Sequence, residues 1–141
     1  MNTTEWYVLM ADDDKDDIAL VEEAFRRKEI NKPLVGVPSG IDLLHYLHLA
    51  TYANKWPGLI LLDVNMPDKS GLETLAVLKQ NHQLKKIPVV MFSTSDSPAD
   101  IRKSYELGAN SYVVKPPTFD KLMTTVENLH AYWRQTVRVV Y

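Results

Sequence analysis

The sequence contains no cysteine. Disulfides, thiolate nucleophiles and zinc–thiolate centres are therefore excluded, and a reducing cytoplasm suits the chain. Glycine is scarce as well, with five in 141 residues. None falls in Asp12-Asp13-Asp14, just after the first apolar run, where a glycine-rich phosphate cradle would sit. Charge of one sign is missing too. The 16 basic and 18 acidic side chains leave a formal charge of −2, too little to gather nucleic acid or acidic lipid. No apolar stretch approaches the ~20 residues of a membrane span. The opening Met1-Asn2-Thr3-Thr4-Glu5-Trp6 lacks the basic start and apolar run of a secretory signal. The expectation is one soluble, cytoplasmic domain with no membrane and no nucleic acid among its partners. A chain of this size buries ~68% of its unfolded surface and folds without metals or cross-links.

What is present is an alternation of short apolar runs with segments of helical period. Trp6–Ala11 reads as a buried strand closed by acids. Residues 16–28 place Ile18, Val21, Ala24 and Phe25 on one helical face. Pro33–Val37 reads as a second strand. Ser39-Gly40-Ile41-Asp42 has the form of a capping box, with Asp in place of Glu, and opens a helix carrying Leu43, Leu44 and Leu47. Leu59–Leu62 is uniformly apolar, the pattern of a strand covered on both faces. Ser70-Gly71-Leu72-Glu73 is a second capping box. Ile87–Phe92 reads as the fourth strand, and Ser97-Pro98-Ala99-Asp100 starts the next helix. Gly108 ends that helix, and Ser111–Val114 is the fifth strand. Phe119, Leu122, Val126, Leu129 and Trp133 then form the stripe of a last helix. The fold expected is α/β: a doubly wound, flavodoxin-like, five-stranded parallel sheet with five helices and strand order 2-1-3-4-5.

Ligands of such sheets sit beyond the carboxyl ends of the strands. There the chain places Asp12-Asp13-Asp14, Asp63, Ser93-Thr94-Ser95 and Lys115-Pro116, after the first, third, fourth and fifth strands. If those strands are neighbours, carboxylates, a hydroxyl and an ammonium converge. Clustered carboxylates repel one another, and a bound cation is a usual remedy. Mg2+ fits best, because it tolerates few carboxylates and keeps several waters. Its open positions would take a phosphoryl group, with Lys115 balancing charge and Ser93 donating a hydrogen bond. The residues thus point to phosphoryl transfer. A calcium loop is the competing use of the acids, with Asp12, Asp14, Asp16 and Glu23 in EF-hand spacing, but Asp17 stands where that loop needs Gly. Asp14, Asp16 and Asp17 read more simply as helix-start acids.

Taken in order, Asp12-Asp13, Leu61-Leu62-Asp63-Val64-Asn65-Met66-Pro67 with Gly71, Ser93, and Tyr112-Val113-Val114-Lys115-Pro116 resemble the receiver domain of two-component response regulators. The resemblance spans residues 5–130. It implies that Asp63 is the phosphoacceptor, taking a phosphoryl group from a phosphohistidine on a sensor histidine kinase or a histidine phosphotransfer protein. Asp13, Asp63 and the Asn65 carbonyl would hold Mg2+, with Asp12 holding a metal-bound water. Lys115 would contact the phosphoryl oxygens and Ser93 would turn towards them. Tyr112 matches the aromatic switch position, Asn65 and Ser95 the positions that tune acyl-phosphate lifetime, and Lys115–Pro116 the family's cis peptide. Such a chain is a switch that catalyses at most its own phosphorylation and dephosphorylation, not an enzyme acting on a metabolite.

Two rival readings stay open at this point: a phosphorylation-independent scaffold of receiver type, and a flavodoxin-like FMN or nucleotide binder. His45, His48, His82 and His130 show no ligand-type clustering and are expected at surface or boundary positions. Residues 131–141 extend beyond a minimal receiver as a helical tail, with no effector domain expected. Trp133, Val137, Val139, Val140 and Tyr141 would leave an apolar patch there, needing a partner or a fold-back. Similar tails accompany stand-alone receivers paired with phytochrome-type kinases. The remaining expectations are a downstream protein target and a homodimer built through residues 97–135 and the tail.

Overall fold

The apolar runs become the strands β1 (Val8–Ala11), β2 (Leu34–Val37), β3 (Leu59–Leu62), β4 (Val89–Ser93) and β5 (Ser111–Val114). In this computed structural model residues 6–31 and 34–141 are described; Pro33, the expected start of β2, lies outside them, as does the residue-5 boundary. All pairings are parallel, in the order β2-β1-β3-β4-β5. The helices are α1 (Lys15–Arg27), α2 (Gly40–Ala53), α3 (Gly71–Gln80), α4 (Pro98–Glu106) and α5 (Phe119–His130). The doubly wound α/β expectation is thus the observed fold.

Two apolar layers sandwich the sheet. On one face Leu9, Ile60, Leu62 and Met91 meet Leu43 and Leu47 of α2 and Leu75 and Leu78 of α3. On the other, Met10, Leu59, Leu61 and Val90 meet Val21, Ala24 and Phe25 of α1 and Leu122, Val126 and Leu129 of α5. This is why β1, β3 and β4 are buried along their whole length and read as unbroken apolar runs.

The helix starts follow the capping chemistry. Ser70 and Glu73 close a complete box on α3, each side chain bonding the other's backbone N–H. At α2 the box is half made. Ser39 Oγ accepts from the Asp42 N–H, but the Asp42 carboxylate accepts from the Ser39 hydroxyl at 2.9 Å. Asp is one methylene shorter than the Glu that the complete box uses at this position. Ser97 caps α4 with Pro98 in its first turn, and Gly108 follows α4 at φ +104°. β4 begins two residues later than expected because Ile87 closes a 3-10 turn and Pro88 has no N–H, contributing to the ladder through its carbonyl, which accepts from Ile60. The free side of β5 carries a contact from α4: the Tyr105 hydroxyl accepts the Tyr112 N–H at 3.1 Å.

After α5 the chain continues through a wider, π-helical turn, Ala131–Thr136. Trp133 is half-buried against the α1–α5 layer rather than exposed. The tail then folds back: Tyr141 stacks edge-on against Trp56 at 5.6 Å and its hydroxyl donates to the Pro57 carbonyl at 3.1 Å. Although Tyr141 as a whole keeps 39% exposure, burial around its phenol pushes the pKa up to about 12. This aromatic corner lies at the amino ends of the strands, away from the acids.

Candidate functional site

Strand register assembles the site. Ala11 pairs with Leu62, so Asp12 and Asp63, one residue further on, emerge side by side. The Asp63 N–H donates to the Ala11 carbonyl at 3.1 Å. Ser93 pairs with Val114, and the Lys115 N–H donates to the Ser93 carbonyl at 2.7 Å. That bond aims the lysine inward across the strand ends.

Three strands leave the sheet by the same device. Asp12 Oδ1 accepts from the Asp14 N–H at 2.9 Å, Asp63 Oδ1 from the Asn65 N–H at 3.2 Å, and Ser93 Oγ from the Ser95 N–H at 3.2 Å. A side-chain oxygen that captures the amide two residues on turns the chain sharply, and here it also fixes the capturing group. Asp12 and Asp63 are 1% and 7% exposed, and Ser93 is fully buried. Gly71 completes the floor. Its N–H donates to the Val64 carbonyl at 2.8 Å, and a Cβ added there would lie 1.8 Å from the Asp63 carbonyl oxygen.

Lys115 Nζ closes the cluster. It lies 2.6 Å from Asp12 Oδ2, 2.7 Å from Asp17 Oδ2 and 3.0 Å from Asp63 Oδ2, with the side chain 10% exposed. Burial alone would push the ammonium pKa down, but the bonds to Asp12 and Asp17 and the charge of Asp63 hold it above the ordinary lysine value. For Asp12 the balance goes the other way. Burial raises its carboxyl above the usual range despite the Lys115 bond.

The sequence-expected residues divide as follows. Asp12, Asp13 and Asp63 each offer a carboxylate oxygen, all within 4.8 Å of one another. That spacing and donor set suit a hard divalent cation. Asn65 is exposed beside Asp63 and joined to it through its N–H. Ser93 is tied to the cluster through backbone and shares no side-chain bond with Asp63 or Lys115. Ser95 binds outward instead: its hydroxyl donates to Asp100 at 2.6 Å, and its carbonyl accepts from the half-buried Tyr112 hydroxyl at 2.8 Å. The Lys115–Pro116 peptide is trans, which corrects the cis expectation. An X–Pro bond favours trans by ~0.5–1 kcal/mol, and the Lys115–Ser93 backbone bond already delivers the ammonium to the acids. The calcium-loop spacing also dissolves, because Glu23 lies within α1 and pairs with Arg27 at 2.9 Å. Asp14 caps α1, accepting from the Asp16 N–H at 2.9 Å.

Asp17 was expected only as a helix-start acid, and the structure puts it in the cluster. A signal existed: Asp17 stands four and seven residues before Val21 and Ala24, on the face that α1 buries. An acid on that face needs a cation.

The chain belongs to the response regulator receiver domain family, whose model matches residues 8–127. It is a receiver domain of two-component signal transduction. Response regulator Rcp1 of Synechocystis sp. is 38% identical over 132 residues, spanning 92% of this chain and 90% of that protein. The probable methanogenesis regulatory protein FilR2 of Methanothrix harundinacea is 34% identical over 127 residues, spanning 89% and 82%. Among solved structures, the phosphorylated cyanobacterial phytochrome response regulator RcpA aligns with a TM-score of 0.87 at 36% identity, covering 97% of this chain and 99% of that one. The Mn(2+)-bound form of Rcp1 aligns at 0.84 and 36%, covering 96% and 99%. A divalent cation bound by a relative and the three convergent carboxylates here agree in chemistry.

Proposed function

We propose that this chain is a phosphorelay switch in which Asp63 accepts a phosphoryl group from a phosphohistidine. The observation that carries the reading is the buried Asp63 carboxylate fixed between the Asn65 N–H and the Lys115 ammonium, beside Asp12 and Asp13. In the transfer an Asp63 oxygen bonds to phosphorus as the phosphorus–nitrogen bond breaks, and the electron pair leaves on the donor imidazole. Such chemistry asks for positioning and charge neutralisation rather than acid–base work. Lys115 supplies a fixed cation, which holds Asp63 now and would meet the phosphoryl oxygens. Asp13, Asp63 and the Asn65 carbonyl would hold Mg2+, with Asp12 reaching it through a water. The bound ion would neutralise phosphoryl charge. Ser93, buried next to the Lys115 backbone, is the hydroxyl placed to turn towards a modified Asp63. Tyr112 is the aromatic group that would register the turn, through Ser95. Asn65 and Ser95 border the path of a hydrolysing water.

Residues 5–130 form the receiver unit on this reading, and 131–141 an extension. The donor is a sensor histidine kinase or histidine phosphotransfer protein, with a phytochrome-type kinase suggested by the likeness to RcpA. Output passes to a downstream protein, and a homodimer through residues 97–135 and the tail would use the exposed Tyr105, Val114, Tyr132 and Val140. The nucleotide-binder reading gains nothing here, since the β1–α1 turn presents carboxylates and no phosphate cradle.

Incubation with Mg2+ and acetyl phosphate, followed by intact mass, tests the proposal. One phosphoryl adduct is expected on the wild type and none on Asp63→Asn. An adduct that persists in Asp63→Asn, or none on the wild type, sinks it.

A further inference from the structure

Lysine has three N–H donors, and the structure spends all three of Lys115's on Asp12, Asp17 and Asp63. A phosphoryl group arriving on Asp63 can gain the ammonium only if one of these bonds is given up. Asp12 is the poorer choice, because at 1% exposure it has almost no bulk water to take the lysine's place, only what a bound cation would bring. Asp63 is the group being modified, so its one N–H passes to the phosphoryl group, and a second contact must be drawn from Asp12 or Asp17. Asp17 differs from both: its side chain is 28% exposed, so water can replace the lysine.

Helix α1 does not need Asp17. Asp14 caps it through the Asp16 N–H, and Asp16 already places an acid in the first turn. What Asp17 has that those residues lack is the bond to Lys115, reached across 98 positions of chain. Its distance is shorter than that of Asp63 to the same ammonium.

We propose that Asp17 is a positioning residue that latches Lys115 over the unmodified site and releases it to the phosphoryl group. The proposal rests on the reading of Asp63 as phosphoacceptor. Two consequences of opposite sign follow. In the unmodified chain Asp17 adds a fourth carboxylate to the cluster of Asp12, Asp13 and Asp63, which deepens the negative field that draws a divalent cation. Once the cation is in place, the same carboxylate competes with the phosphoryl group for Lys115 and repels it. Removing its charge should weaken Mg2+ binding and strengthen binding of a phosphoryl analogue. A merely structural role would move both in the same direction.

The test uses the full chain as wild type, Asp17→Asn and Asp17→Glu. Calorimetric titration measures Mg2+ alone, then beryllofluoride at saturating Mg2+, with thermal melting alongside. For Asp17→Asn, Mg2+ should bind about three- to tenfold more weakly and beryllofluoride about three- to tenfold more tightly, the range for one partly exposed charge acting over a few ångströms. Asp17→Glu, which keeps the charge, should restore Mg2+ affinity to within about twofold of wild type. Beryllofluoride binding that is unchanged or weaker in Asp17→Asn overturns the latch, whatever happens to Mg2+. A wild type that takes Mg2+ but no beryllofluoride overturns the phosphoacceptor reading, and the latch with it.

Discussion

Replacing Lys115 with methionine keeps the length of the side chain and removes its charge. Asp12, Asp17 and Asp63, now 2.6–3.0 Å from one ammonium, would face one another with nothing between them. Removing one partner of a buried ion pair costs about 3–5 kcal/mol. Two features put Lys115→Met at the lower end. Asp17 can rehydrate, and burial already inclines Asp12 towards its protonated form. A loss of about 3 kcal/mol corresponds to a Tm lower by roughly 10 °C in a domain of this size. The lysine's folded pKa is raised, so its contribution is complete below the unfolded value of ~10.4 and disappears only as pH rises through the folded one. A melt at neutral pH therefore reads the full effect. Measured in chelator, the variant should melt well below wild type. A divalent cation at about a hundred times its Kd stabilises a protein by about 2.7 kcal/mol. It would bind the uncompensated acids of Lys115→Met more tightly than those of wild type. Millimolar Mg2+ should thus raise the variant's Tm more than the wild type's and close most of the gap. A variant within about 3 °C of wild type in chelator, or one that gains no more from Mg2+ than wild type does, would refute the charge-compensation argument.

Two further outcomes are expected. Gly71→Ala drives a Cβ to within 1.8 Å of the Asp63 carbonyl oxygen; because the obstacle is backbone, the site must shift. We expect a loss of about 3 kcal/mol in denaturant melts, together with weaker Mg2+ binding, and a change below about 1 kcal/mol contradicts the packing. For Tyr141 the raised pKa means that its docking contribution is complete below the ordinary tyrosine value of ~10 and is lost as pH climbs from there to about 12. Ultraviolet difference titration of wild type against Tyr141→Phe should show one phenol ionising near 12, and ionisation near ~10 would mean that the tail is undocked.

The strands and helix starts were legible because their causes are local. Leu59–Leu62 announces a doubly covered strand by uniform burial, and Ser70 with Glu73 announces a helix start three residues apart. The half-made box at Ser39 shows the limit, since one methylene decides which donor the acid can reach. The strand-end acids and Lys115 were legible as a set because parallel topology sends every carboxyl end to one edge. Asp17 was not, because two explanations compete for an acid in a first turn, and the one that won depends on a lysine 98 positions away. The tail posed the same difficulty. Its apolar residues demanded cover, but only the assembled molecule shows that the Pro57 carbonyl, 84 positions back, supplies the anchor.

β5 is an outer strand, and an outer strand offers unpaired amides to any passing chain. At Tyr112 that offer is withdrawn, because the Tyr105 hydroxyl of α4 has already taken the N–H. A visitor trying to lengthen the sheet from this side would meet an occupied amide and an aromatic ring standing beside it. The sheet is thereby discouraged from growing into a stack with other copies, a hazard for a molecule built from five nearly all-apolar strands. Recognition on this flank must instead proceed through the side chains that α4 and β5 expose, Tyr105 and Val114 among them.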